Sequence, residues 1–242
     1  MIYVISDIHG NMRRFKSVMQ QINLQPEDTL YILGDVIDRY PDGIRILRQI
    51  MAMPNAKMLL GNHEHMMLDA LCYYHHEDRY ETNRALDRWY RNGGKVTHNH
   101  WKHLRKSLRQ EIADYLLGLP LNIDLSINGV DYVLVHGGPV EEFEAFGHRY
   151  SNLQEYAVWK RWRFSERQLT GKTMIFGHTP TMEYQEDMPM KIYMKPEGLG
   201  IGIDCGSGFS DHPLYPYAPF GRLACLRLDD MQEYYSEEKE YE

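Results

Sequence analysis

The segment Ile2-Tyr3-Val4-Ile5-Ser6-Asp7-Ile8-His9-Gly10 joins an apolar run to a turn that carries an aspartate and a histidine. Four further stretches repeat this arrangement of a short strand-like run followed by a turn with glycine and a candidate metal ligand. The five predicted strands are Ile2–Ile5, Thr29–Leu33, Lys57–Leu60, Tyr132–Val135 and Met174–Phe176. The turns after them are Ser6–Gly10, Gly34–Arg39, Gly61–Glu64, His136–Gly138 and Gly177–His178. Because strands can bring distant turns to one edge of a sheet, the pattern predicts a metal site there and a hydrolase with two bound cations.

The two halves of the chain differ in their organisation. Residues 1–68 alternate between strands and helices, since the apolar residues of Arg13–Ile22 and Gly43–Met51 have helical spacing. This alternation favours strands joined by right-handed helical crossovers. In the second half, Asn128-Gly129 follows strand-like Asn122–Ile127 and predicts a hairpin, which adds an antiparallel element.

Residues 65–120 are predicted to form a helical insertion near the mouth of the site. Helices are expected over His65–Tyr74, Thr82–Asn92 and Leu104–Leu117, with Asn92-Gly93-Gly94 ending the middle one. Five histidines of this region have no carboxylate at ligand spacing, and we expect a solvated surface for them rather than a substrate contact. They are His75, His76, His98, His100 and His103.

Composition limits the classes of function. A chain of 242 residues fits one large domain over residues 1–242, in which 229–242 form an acidic tail with a frayed end. The formal net charge is −7 and no block of Lys and Arg is dense enough for a nucleic-acid arm, so we expect no nucleic-acid partner. A local basic pocket remains compatible with this charge.

Cysteines and apolar runs bear on the compartment. The three cysteines, Cys72, Cys205 and Cys225, form neither a disulfide framework nor a pair with zinc-ligand spacing. We expect buried thiols in a reducing compartment. No signal peptide is visible and no run of about 18 apolar residues occurs, so the sequence predicts a cytoplasmic enzyme with no membrane partner.

The side chains of the turns can be divided between two cations. Two cations in one site need an anionic bridge, because their repulsion would otherwise drive one of them out, and Asp35 is the best-placed bridge. Asp7 and His9 stand two residues apart and can reach the same cation if the turn curls. The ligands expected at the second cation are Asn62, His136 and His178. Mixed oxygen and nitrogen ligands suit Mn, Fe or Zn better than Ca or Mg, and Mn is the first choice.

The predicted chemistry is in-line attack of water on a phosphoryl group. Two cations roughly 3.5–4 Å apart can bind the phosphoryl group and lower the pKa of a bridging water. The leaving alkoxide needs a proton, for which His63, next to Asn62, is the expected general acid, with its imidazole held by Asp38. Arg39 is expected to bind two phosphate oxygens with its guanidinium.

Taken in order, the motifs resemble the signature of the calcineurin-like metallophosphoesterases. The motifs span residues 5 to about 180 and are Asp7-x-His9-Gly10, Gly34-Asp35-x-x-Asp38-Arg39, Gly61-Asn62-His63-Glu64, His136-Gly137 and Gly177-His178-Thr179. Within that superfamily the chain is most similar to the bacterial and phage lambda-type branch of the Ser/Thr protein phosphatases. The Gly-Asn-His-Glu form leans toward these enzymes and away from the symmetrical dinucleoside tetraphosphatases.

The resemblance implies an α+β fold, in which two mixed β-sheets pack face to face and helices flank them. It implies the same ligand and acid assignments, with Asp35 shared by both ions. It also implies a second phosphate-binding arginine between the last two histidine motifs. In Trp159-Lys160-Arg161-Trp162-Arg163, Arg161 matches that place best and Arg163 is the competitor. The helical insertion and the Tyr-rich loop Phe209–Phe220 lie outside the shared signature, and we expect them to shape the substrate entrance or to pack as a lid or in a dimer.

Three functions remain open at this stage. The first is a phosphomonoesterase that acts on phosphoserine, phosphothreonine or, with dual specificity, phosphotyrosine in proteins. The second is a symmetrical bis(5'-nucleosyl)-tetraphosphate hydrolase, for which Trp101, Tyr215 and Tyr217 offer a slot for the base. The third is a binding module without turnover, which is disfavoured because every motif position is present. The substrate would be a phosphorylated protein or a small phosphoester, and the sequence leaves the oligomeric state open.

Overall fold

The computed structural model describes residues 1–74, 79–163, 166, 168–195, 199–209 and 218–237. The strands are β1 (Ile2–Ile5), β2 (Thr29–Ile32), β3 (Ala56–Met58), β4 (Asn122–Ile127), β5 (Val130–Val135), β6 (Thr173–Phe176), β7 (Tyr193–Met194), β8 (Gly200–Gly202), β9 (Ala224–Arg227) and β10 (Gln232–Tyr235). The helices are α1 (Met12–Ile22), α2 (Gly43–Ala52), α3 (Asn62–Ala70), α4 (Arg79–Arg91), α5 (Lys95–Trp101), α6 (Lys106–Leu117), α7 (Phe143–Phe146) and α8 (Leu153–Trp159).

The strands form two mixed sheets of five strands, which confirms the predicted α+β fold. The first sheet has the order β10-β9-β1-β2-β3, in which β1, β2 and β3 are parallel and β9 runs antiparallel to β1. The second has the order β4-β5-β6-β8-β7, in which β5, β6 and β8 are parallel. The β4–β5 hairpin turns at Asn128 and Gly129, whose φ angles of 51° and 80° are those of the predicted tight turn.

Alternation along β1 explains how the layers are arranged. Val4 belongs to a buried cluster that also contains Leu134 and Ile175 of the second sheet, so the two sheets pack face to face. The next residue, Ile5, belongs to the larger cluster that contains Phe15 and other apolar residues of the helices. Each face of the first sheet is therefore covered, one by the other sheet and one by helices.

The parallel strands bring the five turns to one edge. The Asp7 N–H donates to the carbonyl of Gly34 at 3.2 Å, and the His9 N–H donates to that of Asp35 at 2.9 Å. In the second sheet the Gly177 N–H donates to the carbonyl of His136 at 3.1 Å. These backbone bonds fix the turns to one another before any side chain is considered.

The structure differs from the sequence-based expectations in several places. Cys72 is exposed and not buried as expected, because it follows the end of α3, whereas Cys205 and Cys225 are buried. The insertion contains a further helix, α5, because the chain resumes helical geometry directly after Gly94. The segment expected to be an acidic tail contains β10, which pairs antiparallel with β9. An edge strand needs little apolar pattern, since backbone bonds to one neighbour form it. His103 is exposed as expected, whereas His98 is half-buried and its Nδ1 lies 2.6 Å from the Tyr90 hydroxyl.

Other expectations fall outside the part of the chain that the structure describes. These are His75, His76, residues 210–217 of the Tyr-rich loop and residues 238–242 of the C-terminal segment. Among the helices that are described, none has the length and apolar character needed to cross a bilayer.

Candidate metal centre

The turns at the sheet edge share an unusual backbone conformation. Six of the predicted site residues have a positive φ, a region that residues other than glycine rarely enter. They are Asp7 (53°), His9 (51°), Asp35 (55°), Asp38 (71°), Arg39 (65°) and His178 (62°). Such conformations persist where the surrounding structure enforces them, and they cluster at functional sites.

Asp7, His9 and Asp35 form the first group of candidate ligands. Nε2 of His9 lies 3.7 Å from Oδ1 of Asp7 and 3.7 Å from Oδ2 of Asp35. Nδ1 of His9 lies 3.2 Å from the carbonyl oxygen of Ile37, to which it can donate, so Nε2 is left to bind a cation. Oδ2 of Asp7 accepts hydrogen bonds from the Ser6 hydroxyl and from the backbone N–H of His178, which ties the first turn to the last.

Asn62, His136 and His178 form the second group. Oδ1 of Asn62 lies 2.9 Å from Nε2 of His136 and 2.8 Å from Nδ1 of His178. Nε2 of His136 is also 3.5 Å from Oδ1 of Asp35. Asp35 therefore turns one carboxylate oxygen toward each group, which is the placement expected of a bridging ligand.

The electrostatics of the second group fit a divalent cation. Nδ1 of His136 lies 2.6 Å from the carbonyl oxygen of Leu33, to which it can donate, so Nε2 is the ring nitrogen whose lone pair can bind a cation. That lone pair faces the side-chain oxygen of Asn62, and two electron-pair donors at this distance repel each other. A cation held between them removes the repulsion.

The first group has the same requirement. Burial lowers the pKa of His9 well below its ordinary value, so the ring is neutral and cannot balance the carboxylates beside it. Burial and then the charge of Asp35 raise the pKa of Asp7 to about 8. Two buried carboxylates can both stay ionised only if positive charge lies close to them. All six residues predicted as ligands therefore lie together, and their donor atoms suit two cations.

His63 lies beside both groups and is held by Asp38. Nδ1 of His63 is 2.7 Å from Oδ2 of Asp38, and both side chains are buried. Nε2 of His63 lies 3.9 Å from Oδ2 of Asp35, close enough for His63 to be grouped with His9 and Asp35 as a third ligand. The same Nε2 is 3.4 Å from a guanidinium nitrogen of Arg39, so His63 lies between the ligand groups and a candidate phosphate-binding arginine.

The helical insertion supplies two contacts to Asp38 that sequence reasoning missed. The indole nitrogen of Trp89 donates to Oδ2 of Asp38 at 2.8 Å. The Thr97 hydroxyl oxygen accepts from the backbone N–H of Asp38 at 3.0 Å. Both residues are buried, and both belong to helices that flank Gly93-Gly94.

The Gly93-Gly94 pair is the sequence signal that could have located this contact. Gly93 has a φ of +94°, and its carbonyl accepts from the backbone N–H of Arg39 at 3.2 Å. A Cβ on Gly93 would lie 2.9 Å from Cγ of Arg39, and one on Gly94 would lie 2.3 Å from the Trp89 ring. Only glycine lets the insertion approach the metal centre this closely.

Glu64 binds the backbone of the Gly34–Arg39 turn. Its carboxylate accepts backbone N–H groups of Asp35 at 2.9 Å, Val36 at 2.9 Å and Ile37 at 3.2 Å. Burial, and next the charge of Asp35, raise the pKa of Glu64 to about 7. The sequence marked Glu64 as part of a motif without indicating this structural task.

Asp204 is a further buried carboxyl group near the centre, and no sequence motif pointed to it. Oδ1 of Asp204 accepts from the backbone N–H of Gly206 at 2.9 Å. Burial and then the charge of Asp7 raise the pKa of Asp204 to about 8.

The two arginines expected to bind phosphate lie on different sides of the centre. Arg39 is half-buried beside His63, whereas Arg161 is exposed at the end of α8. Burial lowers the pKa of His178 well below its ordinary value, and the charges of His136 and Arg161 act in the same direction. The guanidinium of Arg161 is thus close enough to influence the second ligand group.

Comparisons with known proteins agree with this geometry. A family model described as calcineurin-like phosphoesterase matches residues 1–198. Serine/threonine-protein phosphatase 2 of Salmonella typhimurium strain LT2 is 28% identical over 205 residues, which cover 80% of this chain and 85% of that protein. The symmetrical bis(5'-nucleosyl)-tetraphosphatase of Pectobacterium carotovorum strain PC1 is 38% identical over 64 residues, 26% of this chain and 23% of that protein.

Among solved structures, a protein serine/threonine phosphatase from Saccharomyces cerevisiae superposes with a TM-score of 0.59. It is 14% identical, and the match covers 100% of this chain and 81% of the other. Identity this low supports the fold alone. The tetraphosphatase match spans only about a quarter of that relative's length, so it carries no conclusion about the activity of the whole protein.

Proposed function

Because the chain belongs to the calcineurin-like phosphoesterase family and is a metal-dependent hydrolase, we propose that it is a Ser/Thr protein phosphatase. The observation that carries the reaction type is the position of Asp35 between two ligand groups, beside the His63–Asp38 pair. The choice of a protein substrate is supported by the long match to serine/threonine-protein phosphatase 2, which covers most of both chains.

We propose that Asp7, His9 and Asp35 hold one divalent cation and that Asp35, Asn62, His136 and His178 hold the other, with Mn as the first candidate. When bound, such a pair polarises the phosphoryl group and activates water for in-line attack. The protein fixes the orientation of the ligand side chains. His9 and His136 are each oriented through Nδ1 by a backbone carbonyl, so their Nε2 atoms point inward.

The remaining residues bind the substrate and move a proton. Arg39, and Arg161 from the other side, bind the non-bridging phosphoryl oxygens. His63 donates a proton from Nε2 to the leaving oxygen while Asp38 stabilises the imidazolium through Nδ1. A positioned general acid is worth about 10²–10⁴ in rate when the leaving group is an alkoxide.

Hydrolysis of symmetrical dinucleoside tetraphosphates is the second candidate. It is favoured by one observation, the 38% identity to a symmetrical bis(5'-nucleosyl)-tetraphosphatase over 64 residues. The same metal chemistry would serve both substrates. A binding module without turnover is disfavoured, because all the ligand and acid positions are present and lie together.

A direct comparison of substrates tests the proposal. The Mn-loaded protein is assayed on a phosphothreonine peptide and on diadenosine tetraphosphate, with Asp35→Asn as the inactive control. A kcat/KM at least tenfold higher on the peptide is expected. A higher value on the dinucleotide refutes the proposal in favour of the second candidate, and turnover of neither substrate refutes both.

A further inference from the structure

A basic cleft of about 300 Å³ adjoins the metal centre at the end of α8. Trp159 lines it and also meets the ring of His178 edge to face, with ring centroids 5.8 Å apart. Arg161 lines it too, two residues after Trp159. The cleft therefore begins at the second ligand group, where the phosphoryl group of a substrate would lie.

The charge of the cleft is opposite to that of the chain as a whole. The guanidinium groups of Arg149, Arg161 and Arg163 line it and are exposed, although the formal net charge of the protein is −7. Lys160 is buried and already neutralised by Glu166, 2.5 Å away. Within the described residues, no carboxylate forms an ion pair with any of the three arginines. Three unbalanced positive charges on one wall would attract an anion.

The aromatic side chains of the cleft are not free to stack on a nucleobase. Arg88 lies over the Trp159 ring at 5.8 Å, and Lys160 lies over the Phe146 ring at 5.5 Å. Tyr150 meets Tyr156 edge to face with centroids 5.4 Å apart. These rings pack against protein groups, whereas the guanidinium groups remain open. The chemistry of the cleft thus favours a carboxylate ligand over a stacked base.

We propose that this cleft is a recognition subsite for acidic residues flanking the phosphorylated residue of a protein substrate, with Arg149 binding a substrate carboxylate. The inference rests on the proposed function, since it assumes that the metal centre takes phosphopeptides. Arg161 follows α8 and Arg149 precedes it, so the two guanidinium groups line the cleft from opposite ends of this helix. The scissile phosphoryl group and the flanking carboxylate therefore bind different guanidinium groups.

Peptides matched in all but flanking charge test the subsite. The Mn-loaded enzyme is assayed on phosphothreonine peptides with acidic, neutral or basic flanking residues, and preference is the ratio of kcat/KM values within each variant. An exposed charge pair is worth little, so we expect a preference of about threefold for the acidic over the neutral peptide, lost at high salt. Arg149→Ala should bring the ratio to about one, and Arg149→Glu should reverse it in favour of the basic peptide.

Arg48→Ala is the matched control, because Arg48 is an exposed arginine on α2 that does not line the cleft. Its ratio should equal that of the wild type. Equal rates on all peptides, or a preference that survives Arg149→Glu, overturn the subsite and leave the proposed function standing. A larger loss on diadenosine tetraphosphate than on the acidic peptide in Arg149→Glu overturns it too, since the cleft would then bind a polyphosphate. If nitrophenyl phosphate is hydrolysed but no phosphopeptide is, both the subsite and the proposed function fail.

Discussion

The indole nitrogen of Trp89 donates a 2.8 Å hydrogen bond to Oδ2 of Asp38, the oxygen that also lies 2.7 Å from Nδ1 of His63. One carboxylate oxygen thus accepts from both rings, which fixes the plane of the carboxylate and the direction of the imidazole. Oδ1 of Asp38 is buried and has no hydrogen-bond partner in the described part of the chain. The helical insertion therefore helps to orient the expected general acid.

Trp89→Phe should lower kcat on substrates with poor leaving groups while leaving metal content intact. Without the indole donor, Asp38 can rotate and His63 spends less time aimed at the leaving oxygen. We expect roughly a tenfold loss on phosphothreonine peptides, a fraction of what a general acid contributes. The loss on nitrophenyl phosphate should be smaller, because its leaving group needs little help from a proton.

Trp101→Phe is the matched control for this prediction. Trp101 is a buried tryptophan of the same insertion that packs edge to face on Tyr73. It should show no dependence on the leaving group. Equal losses on both substrates in Trp89→Phe would mean that Trp89 supports the fold and does not orient the acid.

His63→Asn should show the same selectivity with a larger amplitude. Removing the acid should lower kcat about 10²–10⁴-fold on phosphothreonine peptides and much less on nitrophenyl phosphate. Bound Mn, measured by atomic absorption after gel filtration, should stay at the wild-type level. Loss of one cation would instead identify His63 as a ligand, as its 3.9 Å approach to Asp35 allows.

The grouping of the candidate ligands at one edge could be predicted because these residues follow strands in a recurring local pattern. Asp7, Asp35 and His136 each come within two residues of the end of an apolar run, and parallel strands in one sheet end at the same edge. That relation is local in sequence, so the six candidate ligands were named without any knowledge of tertiary contacts.

The residues that orient the candidate ligands and the general acid could not be predicted in the same way. Trp89 reaches Asp38 across 51 positions of sequence, through packing that no local pattern encodes. Glu64 carries no sign that its carboxylate holds three backbone groups of another turn. The strand β10 was missed because pairing with β9, and not an apolar period, forms it.

Asp35→Asn should remove metal and activity together. The carboxylate faces both ligand groups, at 3.7 Å from His9 and 3.5 Å from His136, and an amide carries no charge to offset the repulsion of two cations. Isothermal titration with Mn should show at most one weak site where the wild type shows two. Retention of two sites with wild-type affinity would disprove the bridge.

Glu64→Gln should weaken metal binding through the backbone. A carboxamide has one acceptor oxygen for the three N–H groups that Glu64 now satisfies, and its NH₂ group opposes the remaining donors. Loss of a group that orients ligands typically lowers metal affinity 10–100-fold, and we expect that range in a Mn titration.

Glu142→Gln is the control, since buried Glu142 accepts two backbone N–H groups, from Leu169 and Thr170. It should not change Mn affinity, and equal effects of the two variants on affinity would contradict the role given to Glu64.

His65 should make the protein less stable as the pH falls from about 6.5 to 4. Burial, and next the charge of Arg88, lower the pKa of His65 to about 4, whereas the unfolded chain has the ordinary value near 6.5. The unfolded state binds more protons in this window, so acid favours unfolding, by roughly 2–3 kcal/mol in total for this one group. In urea, His65→Phe should show a free energy of unfolding that falls less steeply between these pH values than that of the wild type.

His103→Gln, at an exposed histidine, is the control and should leave this slope unchanged. If the curves of His65→Phe and the wild type run parallel, the imidazole of His65 takes up protons equally well in the folded and unfolded chain.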